Sequence, residues 1–144
     1  MARVLVAVDD DTARAVVTAD LRRAGHLVVD VDSALRALDV IVERSTMPEI
    51  AVLDIGLPDM DCFELVRALR EHPRMVGLQV IILAARMSGH DLETVRSLGC
   101  THLTTPVTGS ALLVAIERST RRPRPRDAAG CRSRGSPMIP RRGG

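Results

Sequence analysis

Four carboxylates follow apolar runs in this chain. Asp9, Asp10 and Asp11 come directly after residues 4–8 ("VLVAVDDD"), and Asp54 closes residues 50–53 before a Pro-bearing turn ("AVLDIGLPDMDC"). Acids gathered at the lips of strands repel one another unless a cation lies among them. A hard divalent ion such as Mg²⁺, which prefers oxygen ligands and keeps several waters, suits such a group. The competing reading is local. Asp54 could cap its own turn, and the 9–11 run could cap a helix, where acids favour the macrodipole. The cap is expected at Asp11 or Thr12, which leaves Asp9, Asp10 and Asp54 for a shared site.

Two hydrophobic periods alternate to position these acids. Residues 4–8 read as a short strand and 12–24 as a helix, with Ala13, Val16, Val17, Leu21 and Ala24 on one face and Gly25 as its stop. A second strand is expected over 27–31 and a helix over 34–42, then a third strand over 50–53. A helix over 63–69 ends at His72-Pro73, a fourth strand spans 80–85, and a helix over 91–98 is closed by Gly99. A fifth strand over 101–104 and a last helix over 110–118 complete the pattern. Strands apolar on both faces need helices on both sides, so the fold class is α/β, a doubly wound parallel sheet with right-handed crossovers. In such sheets ligands sit outside the carboxyl ends of the strands, where the strand order reverses. Asp9, Asp10 and Asp54 all lie at those ends.

Composition narrows the classes further. With 144 residues, 46% of them hydrophobic, the chain suits one domain with a real core. Phe63 is the only aromatic residue, which argues against a base-stacking surface for single-stranded nucleic acid. Cys62, Cys100 and Cys131 are odd in number and have no CxxC spacing, so neither a disulfide framework nor a zinc site is expected. The first apolar run is too short for a signal peptide and nothing later approaches a membrane span, so a cytoplasmic protein is expected. All 20 basic residues are arginine, a bias that compositional drift explains. Residues 1–120 carry 12 Arg and 17 acids, a net −5, whereas 121–144 carry 8 Arg and one Asp, a net +7. The second segment, rich in Pro, Gly and Arg, reads as a disordered tail. It has no groove-reading helix, so sequence-specific nucleic-acid binding is not expected.

Over residues 3–119 the chain resembles the receiver domain of two-component response regulators. "VLVAVDDD" is similar to that family's first strand and acidic pair. "LDIGLPDMDCFELVRALR" is similar to its phosphoacceptor strand, loop and third helix, while "VIILAA" and "HLTTP" fall at its fourth and fifth strands. The resemblance implies a flavodoxin-like sheet of order 2-1-3-4-5, with a receiver domain over 1–120. It also implies that Asp54 takes a phosphoryl group from a sensor histidine kinase or phosphotransfer protein. Mg²⁺ would be held by Asp10, Asp54 and the carbonyl of Gly56, with Asp9 acting through water.

The match departs at the positions that read the phosphorylated state. The family's Thr or Ser at the end of the fourth strand is Ala84, which cannot donate a hydrogen bond. Its Lys before the Pro after the fifth strand is Thr105, and no lysine elsewhere can substitute. Its switching aromatic falls at His102, and its Gly after "DMD" is Cys62. Arg86 and His102 could approach the pocket, though neither matches the family's lysine position, and Thr105-Pro106 could keep the family's cis bond. The expectation is therefore a single-domain receiver with weakened switching that signals to a downstream protein by contact. It would be a signalling domain rather than an enzyme, with a second copy of itself an allowed partner. Two alternatives are a phosphate-independent interaction module and, with less support, a small Mg²⁺-dependent phosphohydrolase. The hydrolase wants an Asp two residues after its nucleophile, where this chain has Gly56.

Overall fold

The computed structural model describes residues 2–43 and 47–121. Five strands alternate with five helices: β1 (Arg3–Ala7), α1 (Asp11–Arg23), β2 (Leu27–Val31), α2 (Ala34–Glu43), β3 (Ile50–Asp54), α3 (Cys62–Glu71), β4 (Gln79–Ala84), α4 (Gly89–Ser97), β5 (Thr101–Thr104) and α5 (Gly109–Arg121). The sheet is parallel throughout, in the order β2-β1-β3-β4-β5. This is the doubly wound parallel sheet that the alternating periods predict, in the flavodoxin-like order that the resemblance implied. α5 runs one residue past the expected domain limit, and the tail expectation otherwise lies outside the described residues.

Alternation along the central strands builds two cores. Val4, Val6, Ile50, Val52, Ile81 and Leu83 meet α1 and α5 through Val17, Leu21, Leu112 and Ile116. Leu5, Ala7, Ala51, Leu53, Val80 and Ile82 face the other layer, where Ala37, Ile41, Leu65, Val66, Leu69 and Val95 cover them. Every residue of β4 is buried, as is β3 up to Leu53. β2 is an edge strand, half-buried and not apolar on both faces.

One sequence expectation fails in α1. Val17, Thr18 and Leu21 are buried, whereas Ala13, Val16 and Ala24 are exposed. Val16 and Val17 are successive on a helix, so only one can face the sheet, and the structure selects the face carrying Thr18. The sequence also missed a short 3₁₀ turn, Pro73–Met75, after α3. Gly25 and Gly99 do end α1 and α4, with φ of 94° and 68°, the left-handed region that glycine adopts without penalty.

Arg70 closes the end of the molecule opposite the strand tips. Its guanidinium donates to the Leu78 carbonyl through Nε (3.2 Å) and Nη2 (2.9 Å) and to the Leu98 carbonyl through Nη1. α3 is thereby tied to the segments that lead into β4 and β5. At the start of β1, the Ala2 amide donates to His26 Nδ1 (3.0 Å), and burial holds that imidazole below its ordinary value. No helix among the described residues is long and apolar enough to cross a membrane.

Candidate functional site at the strand tips

Because β1 and β3 are neighbours, with Ala7 opposite Leu53, Asp54 lies one rung beyond that pair and the 9–10 turn stands beside it. Asp54 is the last residue of β3, partly exposed, and pairs in register with Leu83 of β4. Its Oδ1 accepts the Gly56 amide at 3.0 Å, which turns the loop sharply away from the strand. The local turn reading and the site reading of Asp54 are therefore compatible: one oxygen shapes the turn and the carboxylate still sits at the sheet's lip.

The three acids share an edge, but their side chains are not gathered around a point. Asp10, not Asp11 or Thr12, is the N-cap of α1, its Oδ2 accepting the Ala13 amide at 2.9 Å. The expected position of that cap is corrected, because the chain turns into the helix one residue earlier than its spacing suggested. Asp11 sits in the first turn and pairs with Arg14. Asp9 is exposed. Among the described residues no group of three or more His, Cys, Asp or Glu side chains has the spacing that holds a metal ion. The donor chemistry suits a hard divalent cation, with three carboxylates and the Gly56 carbonyl on adjacent loops. The arrangement is not pre-assembled, since Asp10 is engaged as a cap and Asp54 as a turn acceptor.

Arg14 holds the acidic turn from below. Nη1 donates to the Val8 (2.9 Å) and Asp9 (3.3 Å) carbonyls, and Nε lies 3.5 Å from Asp30 on β2. Its hydrogen bond to Asp11 is the largest influence raising its already high pKa, so the charge is permanent.

The loop after Asp54 is anchored twice more. Asp61 caps α3 by accepting the Phe63 amide at 2.7 Å. Asp59 reaches across to α2, where its two oxygens accept the Ala34 and Leu35 amides, each at 2.9 Å, beside Ser33 Oγ, which accepts Arg36 N–H at 3.2 Å. Those amides, Leu35 first, hold the Asp59 carboxyl below its ordinary value. Three of the four unpaired donors that a helix start exposes are thus satisfied. Sequence reasoning missed this link, and a contact 25 residues away leaves no local signal that could have found it.

On the β4–β5 side the tips are chemically quiet. Ala84 ends β4 and is 5% exposed, so only a methyl group faces the lip. Its carbonyl accepts the Thr105 amide at 3.0 Å, and the Thr105-Pro106 bond is cis, as the resemblance implied. His102 lies two rungs back, opposite Ile82, exposed and beside Ala111, Val114 and Arg118 of α5. The structure therefore does not bring His102 to the acids. Cys62 opens α3 with a helical backbone, so its side chain is accommodated. Burial pushes its thiol up to about 12, with Cys100, Asp61 and Asp54 adding smaller effects. A thiol so far from ionisation is no nucleophile at neutral pH.

Against known proteins, the family model for the response regulator receiver domain matches residues 4–117. This chain belongs to that family. Receiver domains are typically signalling domains rather than enzymes, and they generally bind Mg²⁺ at the phosphorylation site. Among curated relatives, the transcriptional regulatory protein AfsQ1 of Streptomyces coelicolor is 32% identical over 142 residues, covering 98% of this chain and 60% of that protein. The transcriptional regulatory protein PhoP of Escherichia coli K12 is 37% identical over 97 residues, 67% of this chain and 42% of PhoP. The chain thus spans less than half the length of PhoP. Among solved structures, the chemotaxis protein CheY4 of Vibrio cholerae superposes with a TM-score of 0.76 at 25% identity, covering 83% of this chain and 98% of CheY4.

Proposed function

We propose that this chain accepts a phosphoryl group on Asp54 from a histidine kinase or phosphotransfer protein and passes the signal on by protein contact, in the cytoplasm. The observation that supports this most directly is the placement of Asp54. It is a partly exposed carboxylate on the last residue of a central strand, flanked on the next strand by the Asp9–Asp10 turn. Mg²⁺ held by Asp10, Asp54 and the Gly56 carbonyl, with Asp9 acting through water, would neutralise charge as the phosphoryl group moves in line. Before it can serve in that way, Asp10 must share its cap oxygen or turn its other one toward the site. The chain's own part is to hold the acceptor still, through Gly56 on one oxygen and Leu83 on the neighbouring strand.

Readout is proposed to be weak. With Ala84 and Thr105 in place of a hydroxyl donor and a cation, two charge-assisted partners of the bound group are missing, each worth roughly 1.5–3 kcal/mol. Coupling between sites is typically only about 1–3 kcal/mol, so that loss is enough to remove most of it. The same two residues favour a second reading, a docking module indifferent to phosphate.

Incubating the full chain with acetyl phosphate and Mg²⁺, followed by intact mass, tests both. Slow or partial labelling that is lost in Asp54→Asn is expected. Labelling retained in that variant removes Asp54 as the acceptor, and no labelling of the unmutated chain supports the docking reading.

A further inference from the structure

The acceptor reading leaves the acidic edge without the lysine its relatives use, and the structure limits what could replace it. Arginine is the only basic side chain with a permanent charge in this chain. Three arginines sit on or near the loops that leave the strand tips. Arg14 is committed to the Val8 and Asp9 carbonyls, Asp11 and Asp30, and so is drawn toward β2, away from β3. Arg36, in the first turn of α2, follows β2, two strands from β3. Arg86 is on the β4–α4 loop, and β4 is the other neighbour of β3.

Arg86 is exposed and enters no ion pair among the described residues. It follows Leu83, the register partner of Asp54, by three residues, and the Ile55 amide bonds the Leu83 carbonyl at 2.9 Å, so the two loops leave the sheet together. An extended chain advances at most about 3.6 Å per residue, which keeps the Arg86 backbone within roughly 11 Å of that rung. A long, unengaged side chain spans much of that distance. Its planar fork of donors suits two oxygens of a phosphoryl group at once.

Resting on the acceptor reading above, we infer that Arg86 supplies the cation for the phosphorylated site, folding over the Asp54 carboxylate when it carries a phosphoryl group. In the transfer, an Asp54 oxygen forms the new bond to phosphorus as the bond to the donor breaks. The donor leaves with that electron pair, and Arg86 contributes charge and hydrogen bonds without moving a proton. The route differs from the family's position: the charge comes from the β4 side of the acceptor, on the loop that leads into α4.

The test uses the full chain with Mg²⁺, comparing unmutated protein, Arg86→Ala, Arg86→Lys and Asp54→Asn. The readouts are acetyl phosphate labelling and the affinity for beryllofluoride, which mimics a bound phosphoryl group, with melting temperature as a control. Arg86→Ala should label about tenfold more slowly and bind beryllofluoride about tenfold more weakly, near 1.4 kcal/mol, with its melting temperature unchanged. Arg86→Lys should recover part of both, which a purely structural role would not produce. Labelling and beryllofluoride affinity equal to the unmutated chain in Arg86→Ala would overturn the role of Arg86 alone. An unmutated chain that takes neither probe overturns the acceptor reading and this inference with it.

Discussion

The two halves of the strand-tip edge differ in kind. The β1–β3 half carries Asp9, Asp10 and Asp54, tied down by Arg14, Gly56 and the cap on α1. The β4–β5 half ends in a buried methyl group at Ala84 and a threonine before a cis proline, with its histidine exposed two rungs back from the tip. Both halves rest on the same sheet with unbroken register, so the difference is one of side-chain chemistry and not of fold. The lesson is that one unbroken backbone can carry a chemically rich half and a quiet half side by side, so that under the proposed function uptake of a phosphoryl group and the response to it rest on separate residues.

The strongest way to break this comparison is to rebuild the quiet half. Ala84→Ser with Thr105→Lys restores a donor and a cation. It should raise phosphorylation-dependent coupling by about 1–3 kcal/mol, read as a larger difference in hydrogen exchange at β5 and α5 with and without phosphate. No change would mean that the coupling is lost elsewhere. On the acidic half, Asp10 separates cap from charge. Asp10→Asn keeps a good capping residue and should hold stability while weakening Mg²⁺ binding. Asp10→Ala should lose both, with about 1 kcal/mol of stability from the cap alone, measured by urea denaturation. Equal Mg²⁺ affinity in Asp10→Asn and the unmutated chain would remove Asp10 from the metal set.

The smallest expected effect lies far from either half, at His26, and serves as a baseline. Its imidazole is neutral when it accepts the Ala2 amide, and its folded pKa lies below the ordinary 6.5. The unfolded chain therefore binds the proton first, so stability is full above about 6.5 and falls as the pH drops through that value toward the folded one. His26→Gln should flatten this part of the melting-temperature profile and leave phosphoryl uptake unchanged.

How much of this was legible in the sequence follows from the range of each interaction. β3 and β4 were readable because burial on both faces writes a continuous apolar run, and Gly25 and Gly99 because the helix stop is local. The face of α1 was not: two adjacent valines offered two solutions, and the chosen one buries Thr18 with its hydroxyl unpartnered among the described residues. The strand that carries Asp54 was visible from "AVLD", and so was the turn its carboxylate shapes, because Gly56 is only two residues away. Asp59 on α2 and Arg70 on two loops join segments far apart in the chain, which periodicity cannot reveal.

One outer feature bears on how copies of this molecule meet. The Leu27 amide bonds Ala2 and the Val8 amide bonds Val31, so odd residues of β2 face inward and the polar groups of Val28 and Asp30 face out. Arg22 lies across this margin, donating to the Val28 carbonyl at 3.1 Å and standing 3.6 Å from the Asp30 carboxylate. A neighbouring strand approaching that margin would meet a guanidinium already occupying the acceptor it needs. One arginine thus blunts the β2 margin as a template for a further strand, leaving β5 as the sheet's other edge.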